Sequence, residues 1–265
     1  MTKKSFSFLL CYYRIVMFNI KNNIDFFLRK NIKISRKNYS EINEIKDELE
    51  FSKEELILES ELIHKYKLEK YKNNSTVINY CQNLYLISIL NKYFDIKSKP
   101  DLTILDIGSK NWFYAPAEYY YFKRYCKNIF LDGVEIDAYR LYANFYNRLE
   151  VAKFYIKDLP NTNYIPDDLM NINKSYDYIV WILPFVLRHP LRAWGLPDNL
   201  FKPQKLFEHA YSLLKQNGKM LIINQTKEEF EAQIKIINGL TSTSTKLESP
   251  FYEYKYQRFL TIVEK

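Results

Sequence analysis

Two stretches of this chain carry residue types that can do chemistry. The first is Leu102–Asn111, Leu-Thr-Ile-Leu-Asp-Ile-Gly-Ser-Lys-Asn, an apolar, β-favouring run ending in an acid, a glycine and small polar residues. A buried parallel strand looks like this where it delivers its carboxyl end to a ligand. Asp106 closes the run, Gly108 permits a sharp turn and a close backbone approach, and Pro116 suits the first turn of a following helix. Open α/β sheets bind ligands in the crevice outside the carboxyl ends of their strands, so a nucleotide-like ligand is expected there. The second stretch is the loop 181–197, where Arg188, His189, Arg192 and Trp194 stand close together. Arginines suit an anionic group, Trp194 suits stacking, and His189 titrates in the range a general base needs. Asn224 and Gln225, at the end of a later apolar run, are further candidates for substrate contact. Thr226 reads instead as the N-cap of a helix that starts with Lys227-Glu228-Glu229.

These residues need a scaffold, and beyond residue 100 strand-like and helix-like segments alternate. Strands are expected at 102–107, 129–136, 152–156, 176–183 and 219–224, with helices at 116–126, 138–149, 206–214 and 227–238. The tail reads as an antiparallel pair, 243–247 with 252–263. Such alternation gives a mostly parallel sheet with right-handed crossovers and helices on both faces. A doubly wound α/β domain is therefore expected over 100–265, with residues 1–99 as an N-terminal helical extension or cap. Within that extension, Ser40 with Glu41 and Glu44, and Ser52 with Glu54 and Glu55, mark helix starts. A helix over 76–94 then leads through Lys99-Pro100 into the first strand. Residues 5–20 form an apolar run that Arg14 interrupts, too short and too charged to span a bilayer, and no cleavage site follows it. An amphipathic helix packed on the domain is the preferred reading, with membrane-surface contact by residues 5–30 as the alternative.

The net charge of +8 invites a nucleic-acid reading, but its placement weakens that. Residues 1–50 carry 10 Lys and Arg against 6 acids, and residues 101–265 carry 21 against 19, so the excess leans toward the N-terminus. Cys11, Cys81 and Cys126 are odd in number and widely spaced, which suggests neither a disulfide framework nor a zinc site and fits a reducing cytoplasm. His64, His189 and His209 are equally scattered, so no metal is expected.

The order of motifs resembles the class I, Rossmann-like S-adenosylmethionine-dependent methyltransferases. Leu-Asp-Ile-Gly-Ser at 105–109 resembles their first motif, and Gly-Val-Glu-Ile-Asp at 133–137 the acidic end of their second strand. Lys-Asp-Leu-Pro at 157–160 resembles the acid that follows the third strand. Tyr-Asp-Tyr-Ile-Val-Trp at 176–181 and Leu-Leu-Lys-Gln-Asn-Gly-Lys-Met-Leu-Ile-Ile at 213–223 resemble strands four and five. The resemblance implies S-adenosyl-L-methionine as cofactor and an antiparallel last strand. It also implies a site made of Asp106, Gly108, Ser109, Lys110, Glu135, Ile136, Asp158 and Leu159. Glu135 would hold the ribose hydroxyls, Asp158 the adenine amino group, and Leu159 and Ile136 its apolar walls. Asp106 would face the cationic end of the cofactor. N–H groups around Gly108–Asn111 and the next helix start would take its carboxylate.

One departure stands out: Lys110 and Trp112 occupy positions where the family usually has glycine. That departure motivates a second reading, a catalytically inactive methyltransferase-like binding or scaffold protein. A nicotinamide enzyme would want G-x-G-x-x-G opening the first helix, which is absent. Leu183-Pro184-Phe185 lacks the polar residue that amino methylation of a nucleobase would need. The methyl acceptor stays unidentified, with a small molecule preferred and RNA as the alternative.

Overall fold

The computed structural model describes residues 3–36, 39–40 and 49–265. The helix expected after Ser40, with Glu41 and Glu44, lies outside the described residues. The elements run α1 (Lys3–Asn31), α2 (Lys53–Tyr66), α3 (Glu69–Asn73), α4 (Val77–Tyr93), β1 (Lys99–Ile107), α5 (Ala115–Lys123), β2 (Cys126–Val134) and α6 (Arg148–Ile156). They continue with β3 (Thr162–Ile165), β4 (Tyr176–Ile182), α7 (Arg188–Ala193), α8 (Pro203–Leu213), β5 (Leu214–Asn224), α9 (Lys227–Ile237), β6 (Ser242–Lys246) and β7 (Phe259–Glu264).

The seven strands form one sheet in the order β3-β2-β1-β4-β5-β7-β6. Strands β1 to β5 are parallel, β7 runs antiparallel to β5, and β6 pairs antiparallel with β7. This is a doubly wound, mostly parallel Rossmann-like sheet, with the antiparallel C-terminal strand that the resemblance implies. The chain reverses its direction of travel across the sheet between β1 and β4, and a crevice opens at that switch point. The central strands are buried on both faces, as their unbroken Leu, Ile and Val runs require.

Local signals set the helix starts. Ser52 and Glu55 form a capping box at α2, and Thr76 and Thr226 cap α4 and α9. Helix α4 is more than an appendage. Leu84, Ile87 and Leu90 belong to the same hydrophobic cluster as Ile104, Leu131 and Leu221 of the sheet.

One segment corrects the expectation from sequence. Residues 138–147 form no helix, and the run Val-Ala-Lys-Phe-Tyr-Ile (151–156) is helical, not a strand. Asn147 and Glu150 make a reciprocal capping box that starts α6, so Val151, Ala152 and Tyr155 turn one face to the core. The third strand comes later, at Thr162–Ile165, after a turn in which Asn161 adopts φ +56°.

Candidate cofactor and acceptor site

The shift of β3 moves part of the expected site. Asp158 and Leu159 precede the strand and sit at its amino end, away from the crevice. Asp158 pairs with Lys70 at 2.9 Å, and Leu159 is buried in the core. The carboxyl end of β3 instead delivers Asp167 and Asp168 to the crevice. Asp168 caps a single turn of 3-10 helix there, with Met170 N donating to its Oδ1 at 3.0 Å. Nothing in the sequence marked these two acids, because the strand before them had been misplaced.

A cavity of about 470 Å³ occupies the switch point. Gly108, Lys110, Glu135, Ile136, Trp194 and Gln225 line it, as expected from sequence. Glu135 sits at the tip of β2 with both carboxylate oxygens engaged. Lys110 N donates to Oε2 at 2.9 Å, Asp137 N donates to Oε1 at 2.7 Å, and Arg148 approaches Oε1 at 3.3 Å. A carboxylate offers about four lone-pair sites, and three are taken, so Glu135 keeps one acceptor site, on Oε2.

The loop after β1 departs from expectation in a way that explains its odd residues. Lys110 and Trp112 adopt φ +53° and +44°, the left-handed region that glycine enters without cost. The backbone thus keeps a glycine conformation without glycine. The strain, of roughly 1–3 kcal/mol per residue, is offset by packing. The Trp112 indole is fully buried behind the loop and lies where a side chain on Gly133 would be, 2.8 Å from a Cβ built there. It therefore leaves the crevice open. Its Nε1 donates to Glu118 at 3.0 Å, and the Tyr164 hydroxyl ties down the Lys110 carbonyl.

The anion site expected at this loop and at the start of α5 is already filled by the protein. Gly108 N and Ser109 N both donate to the Val134 carbonyl, at 2.9 and 3.2 Å. Asn83 of α4 accepts from Ala117 N at 3.2 Å, blocking the first turn of α5. A positive charge stands nearby: Lys110 lines the cavity, belongs to no ion pair among the described residues, and lies 5.1 Å from the centre of the Trp194 ring. Burial pushes its ammonium pKa down, as does Arg148.

Asp106 and Ser109 are buried beneath the loop and do not line the cavity. Asp106 reaches it only through Tyr114, whose hydroxyl donates to Oδ2 at 3.0 Å. Its other oxygen and Glu118 Oε1 are buried acceptors without a donor. Each carboxyl acts on the other's titration, and a proton held by Glu118 would supply the donor that Asp106 lacks. Burial pushes Asp106 up to about 7, and burial with the Asp106 charge pushes Glu118 well up.

Neither arginine of the loop expected to recognise an anion lines the cavity. Arg192 is clamped to Asp198 at 2.7 and 2.5 Å, and Arg188 also lies against Asp198, at 3.7 Å. His189 is exposed on α7 and does not line the cavity, so its position does not suit a general base. Asn224 is buried behind the wall, both amide atoms unpartnered.

Other parts of the cavity wall come from residues that sequence reading missed. Gln82 and Tyr85 come from α4, Glu229 and Gln233 from α9, and Tyr254 and Arg258 from the segment before β7. The Gln233 amide is buried with both polar atoms unpartnered, and Arg258 Nε is likewise unpartnered. The Arg258 guanidinium lies over the Tyr254 ring at 3.2 Å.

No family model and no curated protein matches the chain. Its shape is similar to several solved structures at low identity. A SAM-dependent methyltransferase from Aquifex aeolicus has a TM-score of 0.47 at 17% identity, over 69% of this chain and 90% of that one. Magnesium protoporphyrin IX methyltransferase from Synechocystis, solved with bound SAM, has 0.45 at 13%, over 82% and 100%. A putative RNA methyltransferase from Pyrococcus horikoshii has 0.45 at 14%, over 69% and 81%. Each is a likeness of form and assigns no activity to this chain.

Proposed function

We propose that this protein is a methyltransferase that uses S-adenosyl-L-methionine on a small-molecule acceptor. The observation that carries this reading is Glu135, an acid at the tip of β2 that lines a cavity at the switch point and keeps one acceptor site on Oε2. Glu135 would hold the ribose hydroxyls, Ile136 and Leu169 would flank the adenine, and Asp167 or Asp168 would accept its amino protons. Lys110 would pair with the amino-acid carboxylate in place of loop N–H groups.

When bound, the cofactor supplies an electrophilic methyl group on a sulfonium. The chain's part is then to align an acceptor atom with it, an effect worth several kcal/mol without any base. Gln233 and Arg258, with unsatisfied donors, suit a polar or anionic group on the acceptor. Glu229, lining the same wall with its carboxyl pushed up by burial, is our candidate for proton removal where the acceptor requires it.

Titration calorimetry with S-adenosylhomocysteine tests the reading. Binding is expected, weakened about ten- to a hundredfold by Glu135→Ala, the loss typical of hydrogen bonds to a buried charge. Absence of binding would favour the inactive scaffold, which the existing Glu135–Arg148 contact supports. An RNA acceptor would instead show steep loss of affinity with added salt.

A further inference from the structure

Helix α1 is amphipathic in the wrong sense for a helix packed on a protein core. Its polar side faces the body. Asn19 accepts from Asp198 N at 3.1 Å, and Asn22 donates to the carbonyls of Arg192 and Leu196 at 3.1 and 3.2 Å. Arg29 pairs with Asp137 at 2.8 Å and donates to the Gly195 carbonyl at 3.0 Å. Residues 19, 22, 26 and 29 follow the helical repeat and define this face. Over residues 17–31, most of the apolar residues, Phe26 apart, stand on the opposite side. Met17, Ile24 and Phe27 are 67%, 55% and 65% exposed, with Ile20 and Leu28 completing the stripe. Lys21 and Lys30, both exposed, flank it on either side. An ordinary surface helix buries its apolar stripe, so one turned outward marks a surface that another body covers.

The charge says what that body is. Residues 1–37 hold nine Lys and Arg against the single acid Asp25, and residues 38–265 hold thirty of each. The whole net charge of +8 therefore resides in this segment. A second copy meeting the stripe face to face would bring two such segments together, and like charges oppose that pairing. An anionic lipid surface satisfies both features at once, taking the apolar side chains below its headgroups and the lysines among them. We infer that α1 is an interfacial helix that seats the protein on anionic membranes. No helix among the described residues is long and apolar enough to cross one. The same helix holds the loop that carries Trp194, so the seat and the cavity wall are one hydrogen-bonded unit.

The test is co-sedimentation of the full chain with vesicles of phosphatidylcholine alone or mixed with phosphatidylserine. The protein is expected to pellet with the mixed vesicles, and its partition to fall as salt is raised. Ile24→Asp with Phe27→Asp, both at exposed positions, should weaken partition at least about tenfold with an unchanged circular dichroism spectrum. The indole emission of Phe27→Trp should shift to the blue when the mixed vesicles are added. The inference is overturned if the full chain stays in the supernatant, or if the double aspartate variant pellets like the parent. It is equally overturned if sedimentation velocity finds a dimer that the double variant dissolves, since the stripe would then belong to a second copy.

Discussion

The two ends of the sheet bury acids on opposite terms. At the amino end, Asp177 of β4 takes Lys99 at 2.6 Å, Lys215 at 2.9 Å and the Thr103 hydroxyl at 2.8 Å. Burial raises its pKa, but these donors outweigh burial and bring it down to about 2. At the carboxyl end, Asp106 and Glu118 have no cation, leave one oxygen each without a donor, and are pushed up. The Asp177 charge is compensated, as in a purely structural site. The carboxyl end keeps polar capacity unspent around a cavity, in Asp106, Gln233, Arg258 and Lys110. Unspent capacity costs stability in the empty protein, so its concentration at one end indicates where a ligand acts.

The sharpest way to break this contrast is to remove structure from the carboxyl end. Trp112→Ala deletes a fully buried indole and the donor to Glu118, and should cost about 3–5 kcal/mol in urea unfolding. A much smaller loss would mean that the loop is held elsewhere. The acid pair gives the next effect. Both carboxyls are raised, so above about pH 4 the folded protein keeps protons that the unfolded chain releases. Stability should fall as pH rises from about 4 to 7, by at most about 1.4 kcal/mol per pH unit for each raised carboxyl. Glu118→Gln gives Asp106 a permanent amide donor, so unfolding curves at several pH values should show a flatter slope and a more stable variant above about pH 7. The amino end predicts the reverse sign. Asp177→Ala should cost about 2 kcal/mol near neutral pH, by conversion of its depressed pKa. That deficit should shrink as pH drops from about 4 to about 2, where the parent's own carboxylate protonates.

The sheet was legible because β1, β2, β4 and β5 each carry a short apolar core, and β1, β2 and β5 end in polar residues at the crevice. Glu135, Gly108 and Lys110 followed from those strand ends. The third strand was not legible, since Val151–Ile156 has β-favouring residues and only the pairing of Asn147 with Glu150 reveals a helix. That single slip exchanged Asp167 and Asp168 for Asp158. The acceptor wall was invisible for another reason. Gln82, Tyr85, Gln233 and Arg258 are far apart in sequence, and each sits on an element whose local pattern explains it without a ligand. Nor could sequence tell that Asn83 would block the start of α5, a contact made only by tertiary packing.

That blocked helix start supplies the finest test of the contrast. If the fold itself fills the usual anion site with an amide, a ligand carboxylate must find its charge elsewhere, and Lys110 lines the cavity beside Glu135 with no ion pair among the described residues. Lys110→Met removes the ammonium but keeps much of the apolar stem against Trp194. Affinity for S-adenosylhomocysteine should drop about tenfold, the loss of one partly buried charge contact. Affinity for 5′-methylthioadenosine, which has the nucleoside and thioether but no carboxylate, should not change. An equal loss for both ligands would mean that Lys110 supports the loop through its packing on Trp194, and that the unspent charge at this end of the sheet belongs to the acceptor side alone.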